Sequence, residues 1–423
     1  MDSSIDLQQP IIDGGIRSIN FFNGRMLTAR DLTREQSANR EVTRRLGQAV
    51  GEGVAYGLEV SKSKSASSTS EFPLVTVTPG LAVNRQGQTL WLRDQTDVAL
   101  VRKASASAAG VIFTECQPLQ AGTYVAGAGV YLLTVAPAET REGRAVTSAL
   151  NTGGAACNTD AVVSAVQFRL IQIDPPITTT ELHDEKHLQN LIAYKCFGVA
   201  ETQTFVKNPF GSDLPEYGLL DSLRPNPLTD CDVPLGVLYW TLSDGIKFID
   251  MWSARRTLMG RDMPGRSSPI VSDRRAKETE AMVLQFSTQI EDIEVSTLES
   301  VVATQHFNYL PPAGLLPVSR ESFDGIIVDN FFSGLPHREP EFIDRALTRA
   351  LLREAINHEP IDLSKGEMVW VYKVWQNERD FKQGMARPFL VFASAYLPYV
   401  GTARFDVAHW DYANYGRCEN CAV

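Results

Sequence analysis

Three observations predict an α+β protein that is mainly β. Short apolar runs rich in β-branched and aromatic residues recur along the chain, as in "PLVTVTPGLAVN", "VYLLTVAPAE", "AVVSAVQFRLIQID" and "VWVYKVW", and Gly, Pro and Asn punctuate them. Helical periodicity is confined to a few stretches, one charged and near the N-terminus, one long and beginning near residue 272. The 423 residues are 43% hydrophobic and 21% charged, a globular composition with length enough for more than one core. The expected organisation is an N-terminal docking segment and helix (1–52), a β-rich domain with one inserted helix (53–262), a linker and long connecting helix (263–303), and a C-terminal β-rich domain (304–423).

The first element is the stretch "INFFNGRMLTARDLTREQ", residues 19–36. Asn23-Gly24 reads as a tight turn, because both residue types tolerate positive φ. Thr28 occupies an N-cap position, and Asp31 three residues on completes a capping box at the favourable end of the helix dipole. The helix is expected from Ala29 to about Ala49, stopped by Gly51 to Gly53. Its apolar residues are few (Leu32, Val42, Leu46, Ala49, Val50), and Arg30, Arg34, Arg40, Arg44 and Arg45 fill much of the remainder. So narrow a stripe suits a helix that lies on a surface or meets a partner, where a core helix buries a wider arc. Phe21, Phe22, Arg25, Arg30, Arg34 and Arg44 are therefore the candidate interface residues, aromatics and Arg being the types enriched there. The competing reading is a solvated helix that caps its own domain.

"VAYGLEVS" alternates like a strand, and the Ser-rich "KSKSASSTSE" after it reads as a polar loop. "PLVTVTPGLAVN", "QTLWL" and "DVALV" supply short antiparallel strands; "GTYVAGAGVYLLTVAPAE" and "AVVSAVQFRLIQID" supply longer central ones. A polar Gly- and Thr-rich connection between the last two is expected to project outward. "PPITTTELHDEKHLQNLIAYKCFG" reads as a helix entered after two prolines, and "PLGVLYWTLSDGIKFIDM" as a hairpin turning at Asp244-Gly245. After the boundary-like "GRDMPGRSSP" comes the long helix, with Met282, Phe286, Ile290 and Ile293 at helical spacing. "HFNYLPPAGLLPVS" must be extended, "EFIDRALTRALLREAI" reads as an amphipathic helix, and "MVWVYKVWQN" and "PFLVFASAYLPYV" as strands.

Chemistry-bearing motifs are scarce. The chain lacks GxSxG, a P-loop, a strand-borne GxGxxG, HExxH and an EF-hand loop. His183 and His187 stand at i, i+4, but the Glu that a zinc protease needs is replaced by Asp184 or Lys186 in the two possible frames. Cys418 and Cys421 form a CxxC that supplies half of a four-thiolate zinc site. These four residues are the weak metal candidates; the expectation is no cofactor, no catalytic residue and no enzyme. Six cysteines in so long a chain are read as reduced, mostly structural thiols. A net charge of −10 argues against general nucleic-acid binding. The absence of a long apolar run and of a signal-like start argues for a protein made in the cytoplasm, without direct membrane insertion, and kept there or exported within something larger.

The opening stretch, with "GEGVAYGLEV" shortly after it, resembles the N-terminal pattern of structural proteins from phage-tail-like contractile injection systems. The matching residues are Phe21, Phe22, Gly24, Arg25, Leu27, Thr28, Asp31, Leu32, Glu35, Gln36, Gly57, Leu58, Glu59 and Val60, and "LPPAGLLPV" and "FDVAHWDYANY" resemble later segments. The resemblance implies a non-catalytic structural subunit at the baseplate or spike region, with other copies of itself and other particle subunits as partners. A carbohydrate- or surface-binding module is the alternative, followed by a hydrolase whose paired carboxylates leave no local signature.

Overall fold

The computed structural model describes residues 12–65, 68–69, 73–100, 129–146, 157–173, 185–199, 218–241, 243–260, 273–293, 300–317, 326–354, 358–375 and 389–393. His183, Cys418, Cys421, the linker at 261–272 and the aromatic segment at 405–415 lie outside them. Strand exceeds helix, 36% against 28%, so the chain is α+β and mainly β.

The first half runs α1 (Ala29–Val50), β1 (Gly53–Gly57), β2 (Val60–Lys62), β3 (Leu74–Val77), β4 (Gly80–Val83), β5 (Thr89–Leu92), β6 (Thr96–Ala99), β7 (Gly129–Glu142), β8 (Ala145–Val146), β9 (Cys157–Asn158) and β10 (Ala161–Ile173). It continues through α2 (Glu185–Phe197), α3 (Gly218–Ser222), β11 (Val233–Thr241) and β12 (Gly245–Asp250). Then come α4 (Asp273–Glu291), β13 (Tyr309–Leu310), β14 (Ala313–Pro317), α5 (Val328–Phe331), β15 (Glu341–Asp344), α6 (Arg345–Glu354), β16 (Ile361–Asp362), β17 (Trp370–Trp375) and β18 (Phe389–Ala393).

A four-stranded sheet ordered β10-β7-β11-β12 organises the first part. Its strands alternate in the expected way. Tyr131, Leu133 and Val135 of β7 point into a core shared with β1 to β5, where Trp240 of β11 is also buried. Val130 and Leu132 point the other way, onto Leu188, Ile192 and Cys196 of α2. β7 and β10 remain paired over a continuous ladder from Ile173↔Val130 to Ala161↔Glu142. At the distal end of that ladder Ala161 to Ala165 of β10 are exposed, whereas on β7 Ala138 is buried and Glu139 lies 3.8 Å from Arg40 of α1.

The second sheet, β14-β18-β17-β15, alternates too: Val371 and Phe392 enter one core, Tyr372 and Val391 another. α4 is the bolt between the two halves. Its Ala281 and Met282 pack on Tyr194 and Phe197 of α2, while Phe286 and Ile290 enter the C-terminal core beside Phe307 and Phe392.

Two elements differ from the sequence reading. "VAYGLEVS" is split at Leu58, whose φ is +55°, so β1 pairs with β4 in one sheet and β2 with β3 in another. Leu58 is fully buried, and core packing holds the turn that alternation alone would have run straight through. The helix expected from Glu341 begins at Arg345, because residues 341–344 pair in parallel with β17. The Asp244-Gly245 hairpin, the α1 span and the extended "LPPAGLLP" are as the sequence predicts.

Candidate functional site

The N-terminal segment forms a strap along α1, held by four local devices. The Asn23-Gly24 turn closes with Arg25 N–H donating to the Phe22 carbonyl at 3.2 Å, and Gly24 has φ +89°. Thr28 and Asp31 form the capping box: Asp31 N–H donates to Thr28 Oγ1, and Asp31 Oδ2 accepts from Thr28 N–H. These Thr28 hydrogen bonds, with the Arg25 guanidinium 3.0 Å away, hold the Asp31 carboxyl below its ordinary pKa. Further along, Ile19 N–H donates to Glu35 Oε2 at 2.9 Å, and Arg45 Nη2 donates to the Gly14 carbonyl at 3.0 Å. The strap thus runs antiparallel to the helix, with Ile19 as its buried anchor.

The far end of α1 is seated on the body. Gly47 crosses the β4–β5 turn so closely that a Cβ on it would lie 2.1 Å from the Gly87 carbonyl oxygen, which leaves room only for glycine. Just beyond, Glu52 and Met259 exchange backbone hydrogen bonds.

What this fixed unit does with its apolar residues is unusual. Over 22 residues α1 buries only Ala38. Leu32, Val42, Leu46 (63% exposed) and Val50 face solvent, as do Phe21, Phe22, Met26 and Leu27 of the strap. Of the six candidate interface residues, Phe21, Phe22, Arg30 and Arg34 are exposed. Arg25 bridges to Asp31 and lies over the Phe22 ring, and Arg44 pairs with Glu41 at 2.8 Å, so these two stiffen the unit.

Beside the seated end lies a cavity of about 270 Å³ lined by Gln48, Glu52, Asn84, Arg85, Asp230 and Arg274 among others. Its charges are matched. Arg85 Nε meets Glu52 at 2.6 Å, Arg274 meets Asp221 at 2.5 Å, and Arg224 donates to the Thr229 carbonyl and Asp230. Burial opposes the charge on Arg85, but Glu52, Asp221 and Asp230 outweigh it and hold its pKa above the ordinary value. Burial and then the neighbouring Arg85 lower that of Arg224. The network ties the end of α1 to α3 and α4. Burial raises the pKa of two carboxyls elsewhere, Asp250 and Asp292.

As to the metal candidates, His187 Nε2 bonds the Thr304 carbonyl at 2.9 Å, which ties its ring to the segment before β13. Among the described residues no three His, Cys, Asp or Glu side chains converge on one point. Cys196 is buried and free, its thiol pushed up to about 12 by burial. Cys231 is disulfide-bonded, which corrects the expectation of reduced thiols: bridging depends on spatial approach, and cysteine density does not report that.

One surface feature escaped the sequence reading. Tyr56 of β1, Leu81 of β4 and Trp91 of β5 are register partners, so they form one row on one face, with Tyr56 and Trp91 about 60% exposed. Strand alternation hinted at each residue's face; only the register aligned them. No protein-family model matches the chain, and no curated protein matches it.

Proposed function

We propose that the chain is a non-catalytic structural subunit of a contractile, phage-tail-like injection particle, in its baseplate or spike region, and that it acts through contacts made by the strap and α1. The observation that carries this reading is the set of exposed apolar side chains on a helix that is capped, strapped and seated on the body. Apolar residues collected on one rigid element mark an interaction site, since solvent contact there costs stability and serves nothing else. Its partners are other copies of the chain and other particle subunits. Neither nucleic acid nor direct membrane insertion is part of the proposal; among the described residues, no helix is long and apolar enough to cross a membrane.

Phe21 and Phe22 are the apolar anchors, and Arg30 and Arg34 meet carboxylates at the rim. The test is to tag the chain in the cells that make it, recover high-mass particles by sedimentation and image them. Recovery within sheath-and-tube particles supports the proposal, provided that Phe21→Ala with Phe22→Ala leaves a folded chain outside them. Recovery only as free chain defeats it.

The Tyr56–Leu81–Trp91 row favours a second reading, recognition of a glycan surface. Two strand spacings set the rings about 10 Å apart, a separation at which both can stack on one oligosaccharide. Glycan-array binding that disappears in Trp91→Ala supports it; an array without Trp91-dependent signal removes it.

A further inference from the structure

Along α1, Leu32, Gln36, Asn39, Thr43, Leu46 and Val50 recur at alternating intervals of four and three residues, and all six are exposed. That is a repeat of 3.5 residues, with which two helices wind around each other side by side. None of the six is charged, although eight of the 22 residues in the helix are. The remaining sides of the helix are already used. The strap engages Glu35, Ala38 is buried, and Arg45 bonds Gly14, while Gly47 and Gln48 lie against the Gly87 turn.

Resting on the docking role proposed above, we infer that this stripe is covered by α1 of a second copy of the chain, with the two helices parallel and in register. Charge decides the direction. Glu35 and Arg40 flank the stripe on opposite edges, and in a parallel pair each edge residue faces the one five positions on in the other helix. Glu35 keeps Oε2 on the strap's Ile19 N–H and presents Oε1, whose own contact from Asn39 is a long 3.5 Å, to Arg40 of the other copy, twice by symmetry. An antiparallel pair sets Arg40 against Arg40 and forms neither bridge. Arg40 is 63% exposed and pairs with Glu139 of β7 at 3.8 Å, a long contact that it exchanges for the second copy's Glu35. Leu32 at one end and Leu46 with Val50 at the other supply apolar layers. Gln36, Asn39 and Thr43 form polar layers between them, which specify register at a cost in affinity.

The decisive experiment is cross-linking of the full chain. α1 contains no cysteine, so Gln36→Cys introduces one reporter, and the natural chain measures background. In the parallel pair the two introduced thiols touch; in an antiparallel pair they stand about 15 Å apart along the axis. Mild oxidation is expected to give a covalent dimer. Adding Leu46→Asp should abolish it, and adding Arg40→Glu should cut the yield several-fold. No dimer above background overturns the inference, and so does a dimer unaffected by Leu46→Asp. The two proposals fail separately. If Gln36→Cys does not cross-link while Leu46→Asp still keeps the chain out of the particle, the docking role stands and only the homotypic pairing falls. If Phe21→Ala with Phe22→Ala enters the particle normally, the docking role falls.

Discussion

α1 and α4 are similar in length and both rich in charge, yet they stand at opposite ends of burial. α1 leaves Leu46 and Val50 in solvent and buries only Ala38. α4 buries Arg275, Glu278, Gln285 and Gln289 together with Met282, Phe286 and Ile290. The difference lies in what surrounds each helix. Glu278 receives two hydrogen bonds from Arg256, Gln285 donates to Asp250 at 3.0 Å, and Arg275 donates to the His358 carbonyl, so polar groups enter the core with partners. α1 has the strap on one side and the Gly87 turn on another, and Arg40 reaches Glu139 of β7, while Leu32, Leu46 and Val50 stay exposed. Burial is thus set by available partners, and a helix's own polarity is a poor guide to it.

The largest effect that would sharpen this comparison is expected from Phe286→Ala, which opens a cavity between Phe307 and Phe392. It should cost about 3–5 kcal/mol in denaturant unfolding. Next, Glu278→Ala strands the buried Arg256 guanidinium and should cost about 3 kcal/mol, a loss that extra salt does not mimic. If either change is tolerated within a few tenths of a kcal/mol, α4 is not the bolt described here.

Asp250 gives a pH signature of the same core. Burial raises its pKa in the folded chain, so its contribution is fully present below the unfolded carboxylate pKa and is lost as pH rises through the raised value. Asp250→Asn should flatten that segment of the stability–pH curve; an unchanged curve would show that Asp250 does not titrate there.

Effects on α1 should be smaller and local. Thr28→Ala removes the capping box and should cost about 1 kcal/mol, seen as faster amide exchange in the first turns of α1 with α4 unchanged. Leu46→Ser should change stability by no more than about 0.5 kcal/mol, because the side chain leaves no core. A loss of several kcal/mol would mean that α1 packs on its own chain and would erase the contrast with α4.

Sequence alone determined what short-range physics controls. The Asn23-Gly24 turn, the Thr28–Asp31 box, the stop at Gly51, the Asp244-Gly245 hairpin and the β7 and β10 strands were legible because hydrogen bonds within a few residues, or strict alternation, specify them. The narrow apolar stripe of α1 was legible for the same reason, and with it the expectation of an exposed helix. Long-range contacts decided the rest. Glu341 to Asp344 became strand by pairing with β17, Leu58 broke a strand because the core holds it in a left-handed turn, and α4 became a buried bolt because Arg256 and Asp250 arrive from distant segments. Within the candidate site, Gly47 against Gly87 and the Tyr56–Leu81–Trp91 row belong to the same class. A residue's propensity depends on its neighbours in the chain, whereas its burial and its partners depend on residues far away, and only the folded structure brings those together.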